Sequence, residues 1–468
     1  MIYKKNFFKT KQNIYLIIFF IFSFFEIFLN NTYFNKDAAL YLAQSHTFLN
    51  NGYQKSLEVY NWPFYSIFIA LFSKAFSLDL TIGVKCFNLI TINLLFFVLL
   101  KLNRNIHKTK NLDFFLLISF LFFYRYADNY LNFVIRDHGF LLFVFLYIYF
   151  QFLYIDSLDN KKNNNKYLFY ALISIFLAFL FRHEAILFLI SLFFIYKNFY
   201  KINLNKIFFS TLVLLVTLFY VSIQLESFKV YEYYERAITL FFNLGREISG
   251  SENIFPLSYL QGSSGLFLIP AFIMIFIIKF MSLVGFLNVF FIYPFKVNFN
   301  SLKVQIFSSV VVIYFALILL NFISTYVITG RYLLFLGFII LFLTSPNLKI
   351  FYDYLSKPFK ISFLVFVALF ALYILFNTKK VSDEFEAVTW VNNNLHGSSV
   401  FYNQPRMNLY SNNYLYTKQE DIDYSNLHNS EYDYFVIKFY STQDQTSVEL
   451  NNLKLIKKIS EKIRIYAK

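Results

Sequence analysis

Residues 304–345 read VQIFSSVVVIYFALILLNFISTYVITGRYLLFLGFIILFLTS. Two apolar runs, 304 to 323 and 331 to 345, flank a short segment that ends on an arginine, Arg331. A membrane-crossing helix needs about 20 mostly apolar residues, so this stretch reads as two spans with a charged residue at the shared edge. Extended along the chain, the same reading gives eleven spans. They centre on residues 14–29, 81–100, 112–124, 138–155, 167–181, 184–196, 207–225, 272–295, 304–323, 331–345 and 361–377, and 264–295 has a re-entrant alternative.

The composition agrees. The 468 residues are 58% hydrophobic, 23% aromatic and only 15% charged, which excludes an ordinary soluble globular enzyme. Cys86 is the only cysteine, so no internal disulfide can form. The net charge of +15 invites a nucleic-acid reading, but its distribution argues against one. Residues 381–468 carry 9 basic and 11 acidic side chains, leaving 33 basic and 16 acidic in the first 380. Six short segments between apolar runs hold 19 Lys and Arg: Lys4–Lys11, Lys101–Lys110, Lys161–Lys166, Lys197–Lys206, Lys296–Lys303 and Lys349–Lys360. The intervening loops on the other side hold 10. That asymmetry puts the N-terminus in the cytoplasm and, with an odd number of spans, the tail outside. Separated basic loops offer no continuous face to a nucleic acid, so no nucleic-acid partner is expected. The first apolar run lacks a small-residue cleavage site before Glu26, Asn30 and Asn31, and is read as an anchor.

The expected fold class is therefore a polytopic α-helical membrane protein of about 11 transmembrane helices with a small C-terminal α/β external domain. The expected domains are 1–380, with an external loop at 30–80, and 381–468. Within the loop, Asp37–Leu49 and Trp62–Phe76 read as interfacial helices. In the tail, Glu386–Asn394 reads as a helix, Ser399–Tyr402 and Tyr434–Phe439 as strands, Leu453–Lys458 as a Lys-rich helix, and Ile463–Tyr466 as a last strand.

Charged residues at span ends are the functional candidates, since a charge near hydrocarbon costs about 2.5 to 3.5 kcal/mol on the gentler scales. Asp37 follows span one, and Arg136 and Asp137 precede span four. Arg182, His183 and Glu184 form the turn between spans five and six, and Arg331 with Tyr332 opens span ten. In the assigned topology all lie at the outer boundary. Carboxylates can accept a proton from a hydroxyl while guanidinium groups fork onto phosphate oxygens, a combination suited to transfer from a lipid phosphate. A structural account stands beside each. Asp37 is a helix N-cap, Arg136–Asp137 an interfacial salt bridge, Arg182 and Glu184 turn residues, Arg331 a headgroup anchor, and Trp62–Pro63 an aromatic-belt anchor entering a helix. His46, His138 and His183 are too scattered to define a metal site. In the long external segment Leu225–Gly265, Tyr231, Tyr233, Tyr234 and Arg236 suggest a sugar-stacking platform.

At this point the chain resembles the C-type glycosyltransferase superfamily, polytopic enzymes that include protein O-mannosyltransferases and the lipid A aminoarabinose transferase. The resemblance lies in the order of NKDAALYLAQ (35–44), NWPFYSIFIALFSKAF (61–76), NFVIRDHGFLLFVFLY (132–147), FLFRHEAILFLI (179–190) and ITGRYLLFLGFIILFL (328–343). It continues in a tail containing TWVNNNLHGSSVFYNQPRMNLY (389–410) and YDYFVIK (432–438). It implies transfer of a sugar from a polyprenyl-phosphate donor to a lipid, glycan or protein acceptor, at the outer face of the bacterial cytoplasmic membrane among membrane lipids. By position it implies Asp37 as the catalytic acidic residue and Asp137 as a second one for acceptor or metal handling, so that a divalent metal is the one cofactor entertained. It assigns Arg331, Arg182 and Arg136 to the lipid phosphate, and Tyr332, His183, Glu184 and Trp62 to substrate. The chain departs from the pattern where Ala38 follows Asp37, and where Asn61-Trp62-Pro63 stands in place of the aminoarabinose transferases' Glu-Lys-Pro, leaving Lys36 and Lys55 as alternative cations. The competing readings are a glycan polymerase or ligase using a polyprenyl-diphosphate oligosaccharide, a transporter or flippase, and a structural subunit.

Overall fold

The computed structural model describes residues 11–29, 34–107, 112–131, 133–160, 165–199, 264–291, 302–325, 327–376, 382–416, 427, 430–439 and 453–468. The span expected at 207–225, the loop Leu225–Gly265 and its tyrosine platform lie outside them, apart from residues 264 and 265, which begin a helix. The fold is mostly helical. Helix α1 (Lys11–Phe24) ends in a π turn, Phe25–Leu29. It is followed by α2 (Lys36–Val59), α3 (Phe64–Ala75), α4 (Leu80–His107), α5 (Asp113–Leu131), α6 (Asp137–Asp159) and α7 (Asn165–Phe181). A 3-10 helix, His183–Ser191, leads into α8 (Leu192–Phe199). Then come α9 (Ser264–Val284), a 3-10 turn at Gly285–Leu287, α10 (Asn288–Phe291), α11 (Leu302–Thr325), α12 (Gly330–Tyr354) and α13 (Lys357–Phe376). The tail contains α14 (Asp383–Asn394), β1 (Val400–Tyr402), α15 (Pro405–Tyr410), β2 (Tyr434–Lys438), β3 (Lys454–Lys458) and β4 (Ile463–Ala467).

Among the described residues, six helical stretches are long and apolar enough to cross a membrane: Leu80–His107, Asp137–Asp159, Phe272–Phe290, Leu302–Phe322, Gly330–Tyr354 and Lys357–Phe376. Asn13–Phe28, Asn165–Phe181 and His183–Ile195 are apolar but shorter. The chain divides into two compact units. One comprises Met1–Phe20, Thr91–Leu131 and Arg136–Ala371, and the other Ile21–Ile90, Asn132–Ile135 and Leu372–Lys468.

The first unit is held by aromatic packing around small residues. Gly337 of α12 meets Phe123 of α5 so closely that a Cβ would sit 2.5 Å from the ring, and Phe338 packs on Phe120 and Phe123 with centroids 5.6 and 5.2 Å away. Most of the α12 span is buried, 83%, whereas α13 buries 6% of its own. Helix α7 runs antiparallel to α6, with Phe150 against Tyr170 and Phe143 against Phe181. The chain then reverses at Arg182, whose backbone is extended, and the 3-10 helix returns along α6. Nine residues is long for this conformation. It is tied by Tyr147, which donates to the Phe188 carbonyl at 2.9 Å, and by Gln151, which donates to Ser191 at 3.0 Å. Lower on α6, Lys303 donates to Asp156 and Asn105, joining α11, α6 and α4.

The second unit builds on α2, which bends at Gly52 (φ +81°). The α2–α3 contact is polar at its centre. Ser45 donates to the Ser66 carbonyl at 2.8 Å, Ser66 to Gln44 at 2.8 Å, and Gln44 to the Ser56 carbonyl at 2.9 Å. Gly83 lets α4 meet Ser73 of α3, where a Cβ would fall 1.9 Å from the hydroxyl oxygen. Asn35 and Val134 exchange two hydrogen bonds, 3.2 and 2.9 Å, and Asn88 donates to the Phe133 carbonyl at 3.3 Å, clipping residues 133–135 into place.

The tail is the small mixed module that the strand and helix patterns predict, with one correction. Its sheet has the order β1-β2-β4-β3, parallel between β1 and β2 and antiparallel elsewhere. Lys454–Lys458 is an edge strand rather than the expected Lys-rich helix. The lysines that suggest a helix are the residues that keep an exposed edge from pairing with another chain, and a bulge between Leu455 and Lys457 disrupts that edge further. Helix α14, capped by Ser382, covers one face through Ala387, Val388 and Val391, while Leu427, Phe435, Ile437 and Phe439 fill the other. Buried Glu384 accepts from Arg406 and from Lys438, both at 2.7 Å, fastening α14 to α15 and β2.

Candidate functional site

In the first unit, the sequence-distant candidates converge. Gly139 is the local cause. A Cβ there would lie 2.1 Å from the Phe181 ring, so only glycine lets the end of α7 settle on the first turn of α6. The next residue, Arg182, then reaches Asp137: Nη1 to Oδ1 is 3.3 Å, and both side chains are buried, at 8% and 3% exposed. The salt bridge expected between Arg136 and Asp137 is thus corrected. Asp137 pairs with the arginine 45 positions away, and Arg136 takes the N-cap position of α6 without a side-chain cap. A desolvated pair this close is held by Coulomb attraction that bulk water would weaken, and its members are costly to separate.

The Arg182 guanidinium also lies over two rings, 5.2 Å from the Tyr332 centroid and 5.6 Å from Phe140. Arg331 lies 5.2 Å from the same Tyr332 centroid and donates to the Tyr332 hydroxyl at 3.4 Å. Two guanidinium groups thus share one phenol ring, which attracts each and partly offsets their mutual repulsion. Each being 5.2 Å from one point, they are separated by no more than twice that. Glu184 stands at the start of the 3-10 helix, 3.9 Å from His183, within electrostatic reach of Arg182 and Arg136. Among the described residues, the cluster holds three arginines against two carboxylates. Planar guanidinium donors gathered in this way are of the type that pairs with a multiply charged oxyanion.

Sequence reasoning missed two neighbours. Tyr314 of α11 is buried against Phe335, centroid to centroid 4.6 Å, and interacts electrostatically with Arg182, Asp137, Glu184 and Tyr332. Nothing marks one tyrosine among 38 inside an apolar run. His138, considered in the sequence only as a metal ligand, instead hydrogen-bonds the Tyr130 carbonyl at 3.1 Å. Among the described residues no three His, Cys, Asp or Glu side chains gather in a way that would hold a metal ion.

Asp37 and Trp62 belong to the second unit. Asp37 lies in the first turn of α2, half-buried, but Asn35 holds the N-cap position, so the capping account of Asp37 is corrected. The Asn35 side chain does not cap either, because it is committed to Val134. Beside Asp37 comes Tyr416 from the tail, whose phenol is pushed up first by burial and then by the Asp37 charge. Trp62 packs edge-on against Phe64 at 5.1 Å just before α3. Of the alternative cations, Lys55 pairs with Glu58 on the surface at 3.0 Å, and Lys36 is exposed.

The same segment of the tail lies along α2. Tyr410 accepts from the Phe34 amide at 3.0 Å, and Tyr414 stacks on His46 and donates to Asp79 at 3.0 Å. Asp79 also accepts from the Thr81 amide at 2.9 Å at the head of α4. Burial raises the Asp79 carboxyl, but the bonds from Thr81 and Tyr414 outweigh it and hold the group below the usual carboxylate range.

Compared with known proteins, the chain matches no protein-family model and no curated protein sequence.

Proposed function

We propose that this protein is a multi-pass membrane glycosyltransferase that moves a sugar from a polyprenyl-phosphate carrier to a lipid, glycan or protein acceptor at the outer face of the bacterial cytoplasmic membrane. The observation that carries the reading is the Tyr332 ring flanked by Arg182 and Arg331, with Arg182 held by buried Asp137. Two prepositioned guanidinium groups can take the phosphodiester of a carrier-linked sugar and stabilise the charge that the phosphate gains as it leaves as a monoester. Asp137 is then a positioning residue, and Arg136, His183 and Glu184 complete the rim. The membrane part of the proposal has eleven passes, a cytoplasmic N-terminus and an external tail. That α6 crosses is supported by the spacing of its polar groups: Asp137 and Asp156 are 19 residues apart, roughly 28 Å along a helix, close to a bilayer core of about 30 Å.

In the proposed reaction, the carboxylate that the family resemblance implies, Asp37, accepts the proton of the acceptor hydroxyl. The oxygen forms its bond to the anomeric carbon as the bond from that carbon to the carrier phosphate breaks, and the phosphate departs with the electron pair. One displacement inverts the centre and needs no covalent enzyme intermediate. Trp62 and Tyr332 are the aromatic surfaces proposed for the sugar and carrier. The described residues supply no donor set that fits a divalent metal, and no step runs through one.

The test is mass spectrometry of surface glycans and envelope lipids from a strain lacking the protein, complemented with wild type, Asp37→Asn or Arg331→Ala. Loss of one sugar mass, restored by wild type and by neither variant at equal membrane abundance, is the expected result. Full restoration by Asp37→Asn, or a product of retained configuration, sinks the mechanism. A buried ion pair at a break between helices also suits a transporter, and that reading wins if carrier lipid is moved with no new glycosidic bond formed.

A further inference from the structure

The tail divides its charge sharply. Residues 381–452 hold three basic and ten acidic side chains, whereas residues 453–468, the β3–β4 hairpin, hold six basic and one acidic. The basic share is concentrated on the edge strand, where Lys454, Leu455, Ile456, Lys457 and Lys458 are all exposed. The need to keep an exposed edge from pairing with another strand accounts for lysines and a bulge. It does not account for Leu455 and Ile456, which stand 48% and 40% exposed at the bulge between the lysines. Aliphatic side chains projecting among cations are the composition of a surface that rests on anionic headgroups, inserting the former and pairing the latter. The one acidic group of the hairpin, Glu461, pairs with Lys458 in the turn at 2.6 Å, leaving Lys454, Lys457 and Lys462 to set the sign of the face.

We infer that the β3 edge docks on anionic phospholipid, at the surface of the bilayer that carries the helices. This rests on the multi-pass reading, which also supplies the reason for that occupant. Helix α13 ends at Phe376 and α14 begins at Asp383, a connection of six residues that reaches at most about 25 Å. A bilayer holding α13 is therefore tethered to the module that carries the hairpin. A weak surface so tethered meets its ligand at high effective concentration, which a free acidic peptide or glycan lacks.

The experiment uses the full chain, with Cys86→Ser, in nanodiscs carrying lipid-borne quenchers and a fluorophore at one introduced cysteine. A label at Leu369→Cys, an exposed residue of α13, reports insertion, and one at Ile456→Cys reports docking. The inference expects both to be quenched in phosphatidylglycerol discs. It expects quenching at 456, but not at 369, to fall in phosphatidylcholine discs and on raising salt. Replacing Lys454, Lys457 and Lys462 by Gln lowers the docked-to-free ratio about fivefold for each lysine lost. Because salt acts on the unaltered strand, the result does not depend on the triple variant folding. Quenching at 369 with none at 456 in either lipid overturns the docking alone, and no quenching at 369 overturns the membrane reading beneath it. Shielding of 456 by added polyglutamate but by neither lipid gives the surface to an acidic macromolecule instead.

Discussion

Asp137 and Arg182 illustrate what a single pair can settle. Each is buried, each would be expensive alone, and together they fix where a guanidinium points. Arg182→Met should leave an uncompensated carboxylate and cost about 3–5 kcal/mol, seen as a lower unfolding temperature in detergent. Adding Asp137→Asn should recover most of that loss without restoring activity. If the double variant is as unstable as the single one, the cost arises from lost packing over Phe140 and Tyr332 rather than from the charge. Tyr332 yields a companion test. Tyr332→Phe keeps the ring beneath both cations and should retain donor binding, whereas Tyr332→Leu should weaken carrier-phosphate binding about tenfold, on the scale of two partly desolvated cation–π contacts. Titration with a short-chain polyprenyl phosphate distinguishes the two.

Among the elements, the α6–α7 hairpin is the one on which the cluster depends, and Gly139 is where it is most vulnerable. Gly139→Ala must push Phe181 aside, with an expected cost of about 1–3 kcal/mol and a displaced Arg182. A combined Gly139→Ala, Phe181→Leu variant should recover part of both, measured as thermal stability and carrier binding. This element also shows how far the sequence could be read. Polar residues interrupting apolar runs at 136–137, 182–184 and 331–332 marked the positions that the structure joins, because a charge at a span end needs a reason. Which carboxylate met which arginine was hidden, since it depends on a glycine whose only role is absence of a side chain. The tail shows the converse. Its buried strands, with Phe435, Val436 and Ile437, declared themselves, but β3 has no buried face to impose alternation, and its lysines read equally well as a helix.

At the scale of the whole molecule, residues far apart in sequence are fastened through titratable groups, and the attachment of tail to α2 should depend on acidity. The Asp79 carboxyl is held below the usual range, so its contribution is complete above that range and is lost as pH falls through the lowered value. Tyr414 is shifted the other way, chiefly by burial and then by Asp79, so it remains a protonated donor throughout neutral pH and gives way only in strong alkali. Amide hydrogen exchange at residues 411–416 should therefore show steady protection from neutral pH into mild acid and a collapse below the carboxylate range. Asp79→Asn should remove the acid limb; an unchanged acid collapse in that variant would place the pH sensor elsewhere.

The sheet order β1-β2-β4-β3 also has a bearing on how the chain is made. The strand that emerges from the ribosome after the other three is an inner one, so β2 and β3 have no shared neighbour until residues 463–467 are free. Translation that halts even a few codons before Ile463 would therefore remove the middle of the module, not its margin. Phe435 and Ile437, fully buried in the finished module, would then be left uncovered on a nascent protein, a form that cellular proteases could recognise while an otherwise complete set of helices remained in place.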